Sequence, residues 1–358
     1  MANKPTKQLP LSLKQGERDV RFSIVRGIGI VIVVFAHNAA LGSRLTSIGS
    51  SFLMPMFFLL SGISFHYSAS QATWRNFRRY LCASIVFPYA FFAIISIPFF
   101  EITVLGGGGE WPPLKYAIYS FFSGQFFSNG SLWFLMSLGI CKLLFWTLLR
   151  IQEKTSLRVL LWCAVTFVCI LLQMKFAFFA LETNFMTLFN LPSIPSGLLF
   201  MSIGYALTPC YVWMRKTKLR RREALPISLL CLYLLFKFSS TGLSYGMHIG
   251  FMRSLEVYVT ALIGTVMCFM IATVIQGRGL HFLRNALVWI GCNSLLMFTI
   301  EDGVVGHLAR ELSFALTGMR RSWLTVIIAL VLLPLAYRLI APAYEWLKVR
   351  VFQRGSGN

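Results

Sequence analysis

Arg26 and His37 stand at the two ends of "RGIGIVIVVFAH", a stretch whose other residues are uncharged and mostly apolar. A guanidinium and an imidazole are costly in hydrocarbon, so each needs a task or a partner. On a helix, eleven residues come within about 20° of three full turns and rise about 16 Å, which puts both groups on one face. A guanidinium matches the oxygens of a phosphate, and an imidazole with an ordinary pKa of about 6.5 can take a proton from a hydroxyl. The spacing describes a track, with a cation at one mouth and a proton acceptor roughly half a bilayer further in. Each residue has a plainer reading: an interfacial arginine that snorkels, and a histidine held in an interhelical hydrogen bond. Their combination on one stripe favours the track. Gly27 and Gly29 thin the helix beside Arg26, so another backbone or a ligand can come close.

The elements that must carry these groups follow from composition. Of 358 residues, 57% are hydrophobic and 13% charged, and mean hydropathy is +0.70. A soluble chain could not hide that much apolar surface. The expected fold is all-α: a polytopic integral membrane protein, its apolar stretches too long for barrel strands. Runs of about 20 apolar residues lie near 22–41, 51–68, 80–100, 131–149, 157–175, 194–214, 224–244, 255–276, 282–301 and 322–347, about ten transmembrane helices. The expected division is a cytoplasmic tail over 1–21, a transmembrane domain over 22–347 and a second cytoplasmic tail over 348–358. The first apolar segment lacks a small-residue cleavage site and carries Arg26, so it reads as an uncleaved anchor.

The net charge of +21 raises the question of nucleic acid. With both termini cytoplasmic and ten alternating spans, only seven of the 33 Lys and Arg lie on the outer side: Arg44, Lys115, Lys175, Arg253, Arg310, Arg320 and Arg321. Lys142 and Lys237 fall inside spans, and all the others are cytoplasmic. The basicity is therefore topological, and no nucleic-acid partner is implied.

The second span, with "MPMFFLLSGISF" at 54–65, offers Ser61-Gly62 as a small pair suited to packing against the first span. Arg75, Arg78 and Arg79 follow on the cytoplasmic side, explained either by charge bias or as an anion site; Pro88 is expected to kink the third helix. "GGGGEWPP" at 106–113 is a flexible turn. The aromatic segments after it and at 175–192 read as re-entrant pieces lining an outer opening or as a belt at the lipid surface. Asn129-Gly130-Ser131 fits a glycosylation pattern that is common by chance. The eight cysteines contain no C-x-x-C pair and read as small apolar fillers, with no metal site expected. His66, His248, His281 and His307 show no partner spacing.

These motifs, with "RNFRRYL", "FPY", "SLWFLMSL" and "WIGCNSLLMFTIE", resemble the membrane acyltransferase 3 family, which includes bacterial sugar O-acetyltransferases. The resemblance runs from about Arg18 to the ninth span. Its most specific element, Arg-x10-His, is matched by Arg26 and His37; Phe57, Phe58, Ser61 and Gly62, Leu132 to Leu135, and Gly291, Asn293, Ser294 and Leu295 match others. The chain departs from the family pattern at Ser23, where an acidic residue is common, and at Glu301-Asp302, where the ninth span often ends in His.

The resemblance implies transfer of an acetyl or similar short acyl group from cytoplasmic acyl-CoA, acetyl-CoA above all, to a hydroxyl of an extracytoplasmic or lipid-linked carbohydrate. It implies a bacterial inner membrane, no bound cofactor, and membrane lipids as surroundings; oligomeric state is left open. Arg26, Arg78, Arg79 and Ser61 would hold the acyl-CoA, and His37 would be the general base, with Glu301 as its catalytic partner. Trp133, Asn293 and Asp302 would meet the acceptor. Glu301 and Asp302 have a plainer reading as solvated loop ends, and Trp133 and Trp111 as interfacial anchors. No esterase-like domain is expected after Asn358. The competing function is a transporter or flippase for a glycan, lipid or small metabolite, using the intramembrane Arg, His and Lys237. Such folds often carry repeated halves, and none is visible here. A non-catalytic sensor is the third class, and retention of both Arg26 and His37 argues against it.

Overall fold

Backbone in hydrocarbon must satisfy its own hydrogen bonds, and this chain does so as helices. The computed structural model describes residues 19–38, 43–68, 72–124, 126–182, 188–217, 219–239, 255–277 and 279–353. Among the described residues there is no strand, only one bridge between Phe126 and Asn129. In chain order the helices are α1 (Val20–Asn38), α2 (Ser43–Ser68), α3 (Trp74–Leu81), α4 (Phe87–Leu105), α5 (Leu114–Ser123), α6 (Leu132–Lys154), α7 (Arg158–Glu182) and α8 (Ile194–Ala206). They continue as α9 (Thr208–Lys216), α10 (Arg221–Phe238), α11 (Leu255–Gln276), α12 (His281–Cys292), α13 (Ser294–Ile300), α14 (His307–Thr317) and α15 (Trp323–Gln353). Leu188–Ser193 is a 3₁₀ turn, and Cys82–Val86 and Glu301–Gly306 are π-helical turns.

Among the described residues seven helices are long and apolar enough to cross a membrane, and two further helix pairs are broken, α8–α9 by 44° and α12 to Thr317 by 81°. That is up to nine spans by length and composition, against the ten expected from sequence. The difference is α10, a helix in the expected place. Arg221, Arg222, Glu223 and Lys237 put four charges into its 18 residues, and residues 240–254, into which the expected span ran, lie outside the described residues. His248, Arg253, most of the 1–21 tail and the last residues of the 348–358 tail lie there too. Before Pro88 the third span passes through a π-helical turn, as suits a residue with no N–H to donate.

α2 sits at the centre, with 72% of its membrane window buried, and α7 at the periphery, with 11%. Two close crossings fix the inner helices. A Cβ on Gly291 would meet the Ser23 carbonyl oxygen at 1.8 Å and one on Gly27 the Leu287 carbonyl oxygen at 2.2 Å, so α1 and α12 touch backbone to backbone. Gly62 and Gly204 do the same for α2 and α8, where an added Cβ would lie 2.0 Å from Met201 O and 2.1 Å from Leu59 O. The expected contact of Gly62 with the first span is thus replaced by one with α8, and the gap beside Gly27 is filled by backbone rather than ligand.

Hydrogen bonds gather the basic segments at the end of the bundle where α1 begins. Arg21 donates to Met214 O, Arg150 to Ala72 O at 2.7 Å, and Arg79 to Phe352 O. At the opposite end Ser322 N donates to Asn38 O at 3.2 Å, tying the start of α15 to the end of α1. The eight cysteines are all free, and four of them are buried. Asn129 is buried and donates to Thr299 O, which makes it a packing residue rather than a glycosylation acceptor.

Candidate active site

His37 closes α1 and meets the π-helical turn that starts at Glu301. Its Nδ1 lies 2.7 Å from Glu301 Oε2, and Asn38 Nδ2 donates to the other carboxylate oxygen at 2.8 Å. Glu301 is fully buried, whereas the His37 side chain keeps 36% exposure. A carboxylate only accepts, so Nδ1 carries the hydrogen and Nε2 of a neutral His37 holds the free lone pair. Nε2 has no partner among the described residues. Carboxylate, imidazole and a free nitrogen form an arrangement that can take a proton from a hydroxyl. The expectation that Glu301 ends a span is corrected: the helix continues through the π-helical turn into α14.

Arg26, two turns into α1, donates to Ser64 Oγ on α2 at 3.0 Å and lies 4.7 Å from the centroid of the Phe22 ring. It lines a chamber of about 240 Å³ with Ser61, Tyr80, Ser84, Leu138, Lys142 and Ser294, among others. Lys142 is 9% exposed and donates to Tyr80 OH at 3.0 Å. No carboxylate lines the chamber among the described residues, so its walls hold two cations. A half-open, positively charged chamber suits an anion.

Three rings separate this chamber from His37. Phe57, Phe134 and Phe298 meet with centroids 5.9, 6.5 and 5.3 Å apart, and all three line the chamber. On α2 Phe57 comes one turn before Ser61, and on α13 Phe298 lies between Ser294 and Glu301. On α6 Phe134 lies between Ser131, whose N–H donates to Asp302 Oδ2 at 3.0 Å, and Lys142. On α6 and α13 the aromatic layer therefore falls between the Arg26 level and the His37 level. The shared stripe on α1 holds, but His37 does not line the Arg26 chamber.

Beyond His37 lies a polar cleft of about 530 Å³, lined by Asp302, His307, Arg310, Glu311, Arg320 and Arg321 among others. Asp302 and Arg310 pair at 3.7 Å, and Arg320 pairs with Glu311 at 2.8 Å. His307 Nε2 donates to Ser128 O at 2.9 Å, and Nδ1 lies 2.8 Å from Thr103 Oγ1.

Of the residues singled out from sequence, the structure brings His37 to Glu301 and Arg26 to Ser61, and sets Asp302 beside the dyad. Arg78 and Arg79 are exposed on α3 and do not line the chamber, although Tyr80 on the same helix does. Trp133 is 8% exposed, with no open face for stacking. Asn293 sits at the α12–α13 bend, bonded to Tyr337 OH at 2.6 Å, next to the Arg26 chamber rather than to Asp302. Sequence reasoning missed Asn38, Tyr80, His307 and the cleft role of Arg310. Lys142 gave a signal, an ammonium within an apolar helix. The aromatic segment after the glycine turn forms α5, a short helix with Leu114, Tyr116, Ile118 and Phe122 exposed; 183–187 of the second such segment lie outside the described residues.

The sequence profile of a family described as an acyltransferase domain matches residues 19–341. No match is found among curated proteins or among solved structures.

Proposed function

The chain belongs to the acyltransferase family, and from that premise we propose that it moves an acetyl or similar short acyl group from acyl-CoA to a hydroxyl of a carbohydrate. The observation that carries this reading is the His37 Nδ1–Glu301 bond of 2.7 Å, which leaves Nε2 free to take a proton. Arg26 and Lys142 bind phosphate oxygens of the donor, and the chamber takes the pantetheine arm. Arg78 and Arg79, exposed on the helix that supplies Tyr80, meet the remaining phosphates at the mouth. The thioester passes the aromatic layer and stops beside His37.

There Nε2 accepts the proton of the acceptor hydroxyl as its oxygen bonds to the acyl carbon. The tetrahedral intermediate then expels the thiolate of CoA, which takes the proton from the imidazolium, leaving an ester and free CoA. Glu301 holds the ring in the required tautomer and stabilises its charged form, and Asn38 orients Glu301. The donor enters at the basic end of the bundle, the cytoplasmic end by charge bias. The acceptor approaches from the cleft on the other side, which in a bacterium is the outer face of the inner membrane.

The test is transfer of radiolabelled acetyl from acetyl-CoA in membranes carrying the wild-type chain or His37→Ala, matched for inserted protein. The wild type labels a glycan fraction and the variant does not; equal labelling by both would remove His37 from the chemistry.

A further inference from the structure

We propose that the cleft beyond His37 is an acceptor site for an acidic carbohydrate, in which Arg321 pairs with a carboxylate or phosphate of the acceptor. This rests on the acyl-transfer reading above and names the substrate class of that same site.

The charges of the cleft single out one residue. Arg320 is committed to Glu311 by two hydrogen bonds, at 2.8 and 3.2 Å, and also donates to Gly106 O. Arg310 faces Asp302 and donates to Gly306 O at 2.9 Å. His307 is held by Ser128 O and Thr103 Oγ1 through its two ring nitrogens. Arg321 lines the same cleft, is exposed, and has no hydrogen-bond or ionic partner among the described residues. Two anions thus face three cations, leaving one guanidinium whose fork matches an oxyanion.

The position of that guanidinium ties it to the chemistry. Ser322, the next residue, donates its N–H to the carbonyl of Asn38, which follows His37. Trp323 packs on Phe35 with centroids 5.9 Å apart. On another wall Asp302 adjoins Glu301. The unmatched charge is therefore built onto the backbone that carries the base. Ser128 and Gly130 line the cleft beside Asp302, whose Oδ2 accepts from Ser131 N at 3.0 Å. Charge bias, moreover, depletes cations from the outer side. Three of the seven outer cations expected from sequence, Arg310, Arg320 and Arg321, nonetheless gather in this one cleft. A volume of about 530 Å³ lies within the range of roughly 300–1,000 Å³ typical of small-ligand sites.

The experiment uses surface glycans from cells carrying His37→Ala, split on an anion exchanger into an acidic and a neutral fraction. Each is offered with radiolabelled acetyl-CoA to membranes holding the full-length wild type, Arg321→Gln, Arg321→Lys or His37→Ala. The expected result is His37-dependent label in the acidic fraction. Arg321→Gln should raise the half-saturating concentration of that fraction at least about tenfold, Arg321→Lys should recover part of the loss, and added salt should weaken the wild type more than Arg321→Gln. Removing the carboxylates by carbodiimide reduction, or the phosphates by phosphatase, tells which oxyanion is read. His37-dependent label in the neutral fraction, or an unchanged half-saturation in Arg321→Gln, overturns the inference and leaves the acyl-transfer reading standing. Absence of His37-dependent label from both fractions overturns that reading, and the inference with it.

Discussion

Glu301 reaches back across the bundle to His37, 264 residues earlier in the chain, and the two meet at 2.7 Å with the carboxylate fully buried. A buried carboxylate must be paired or hydrogen-bonded, and Glu301 has both its oxygens engaged, by His37 and Asn38. The pair exists because the ninth span bends by 81° and then loosens into a π-helical turn. That geometry turns Glu301 toward α1 and the adjacent Asp302 toward Ser131 and the cleft. π-helical turns often mark functional positions, because the extra residue re-aims the side chains around it.

Glu301→Gln tests the pair. A glutamine amide that donates to Nδ1 forces the hydrogen onto Nε2, so the base loses its lone pair. Turnover should fall by about 10²-fold or more, in the range that a general base contributes, with little change in half-saturation for the donor. Steady-state transfer rates in membranes matched for protein check this, and a wild-type rate in Glu301→Gln would detach the carboxylate from the mechanism.

Lys142→Met probes the donor chamber. The ammonium is nearly buried, and Tyr80 is its only hydrogen-bond partner among the described residues, while the chamber's other cation repels it. Removing it should stabilise the donor-free protein, because an uncompensated buried charge is costly. It should also raise half-saturation for acetyl-CoA by about 10-fold or more, the weight of a charge-assisted hydrogen bond. Thermal melting in detergent and donor titration should move in these opposite senses; a lower melting point with unchanged donor affinity would make Lys142 a structural residue.

The aromatic layer bears on leakage. Phe57, Phe134 and Phe298 pack together on the wall of the chamber toward the dyad, so on the proposed route a ring removed there admits water and idle thioester. Phe298→Leu, a modest loss of volume, should increase CoA release in the absence of acceptor, measured with a thiol reagent. No increase, with acceptor-dependent transfer retained, would show that the three rings only pack.

The helical class and seven to nine of the ten expected spans were legible because hydrocarbon admits few solutions for a backbone. The Arg26–His37 stripe was legible because both residues lie on one helix, where spacing alone sets the angle. Glu301 was visible only as an acidic residue near a span's end. "EDGVVGHLAREL" looks like a solvated loop, since charges are expensive in a helix core until their partners are known. Here Asp302 and Arg310 pair, Glu301 bonds to His37, and the helix continues to Thr317. Those partners come from distant segments, which a spacing argument does not reach. The glycine crossings were half legible: Gly27 and Gly62 announced close approach, but the helices that answer them, α12 and α8, are set by tertiary packing.

The α1–α12 crossing places Arg26 and His37 relative to the helices around them. A Cβ at Gly291 would overlap the Ser23 carbonyl oxygen, 1.8 Å away. That contact is backbone, so no flexible side chain can yield. Gly291→Ala must push the two helices apart, at a cost of roughly 1–3 kcal/mol or more for overpacking. Because α12 leads through the bend to Glu301, the displacement also loosens the His37–Glu301 bond. Gly291→Ala should therefore lower both thermal stability and turnover, whereas Ala286→Gly, about two turns before the bend and half-buried on α12, should cost only the roughly 1 kcal/mol of helix propensity and leave turnover within about twofold. Equal stability and turnover in Gly291→Ala and the wild type would show that the crossing does not set the register of the site.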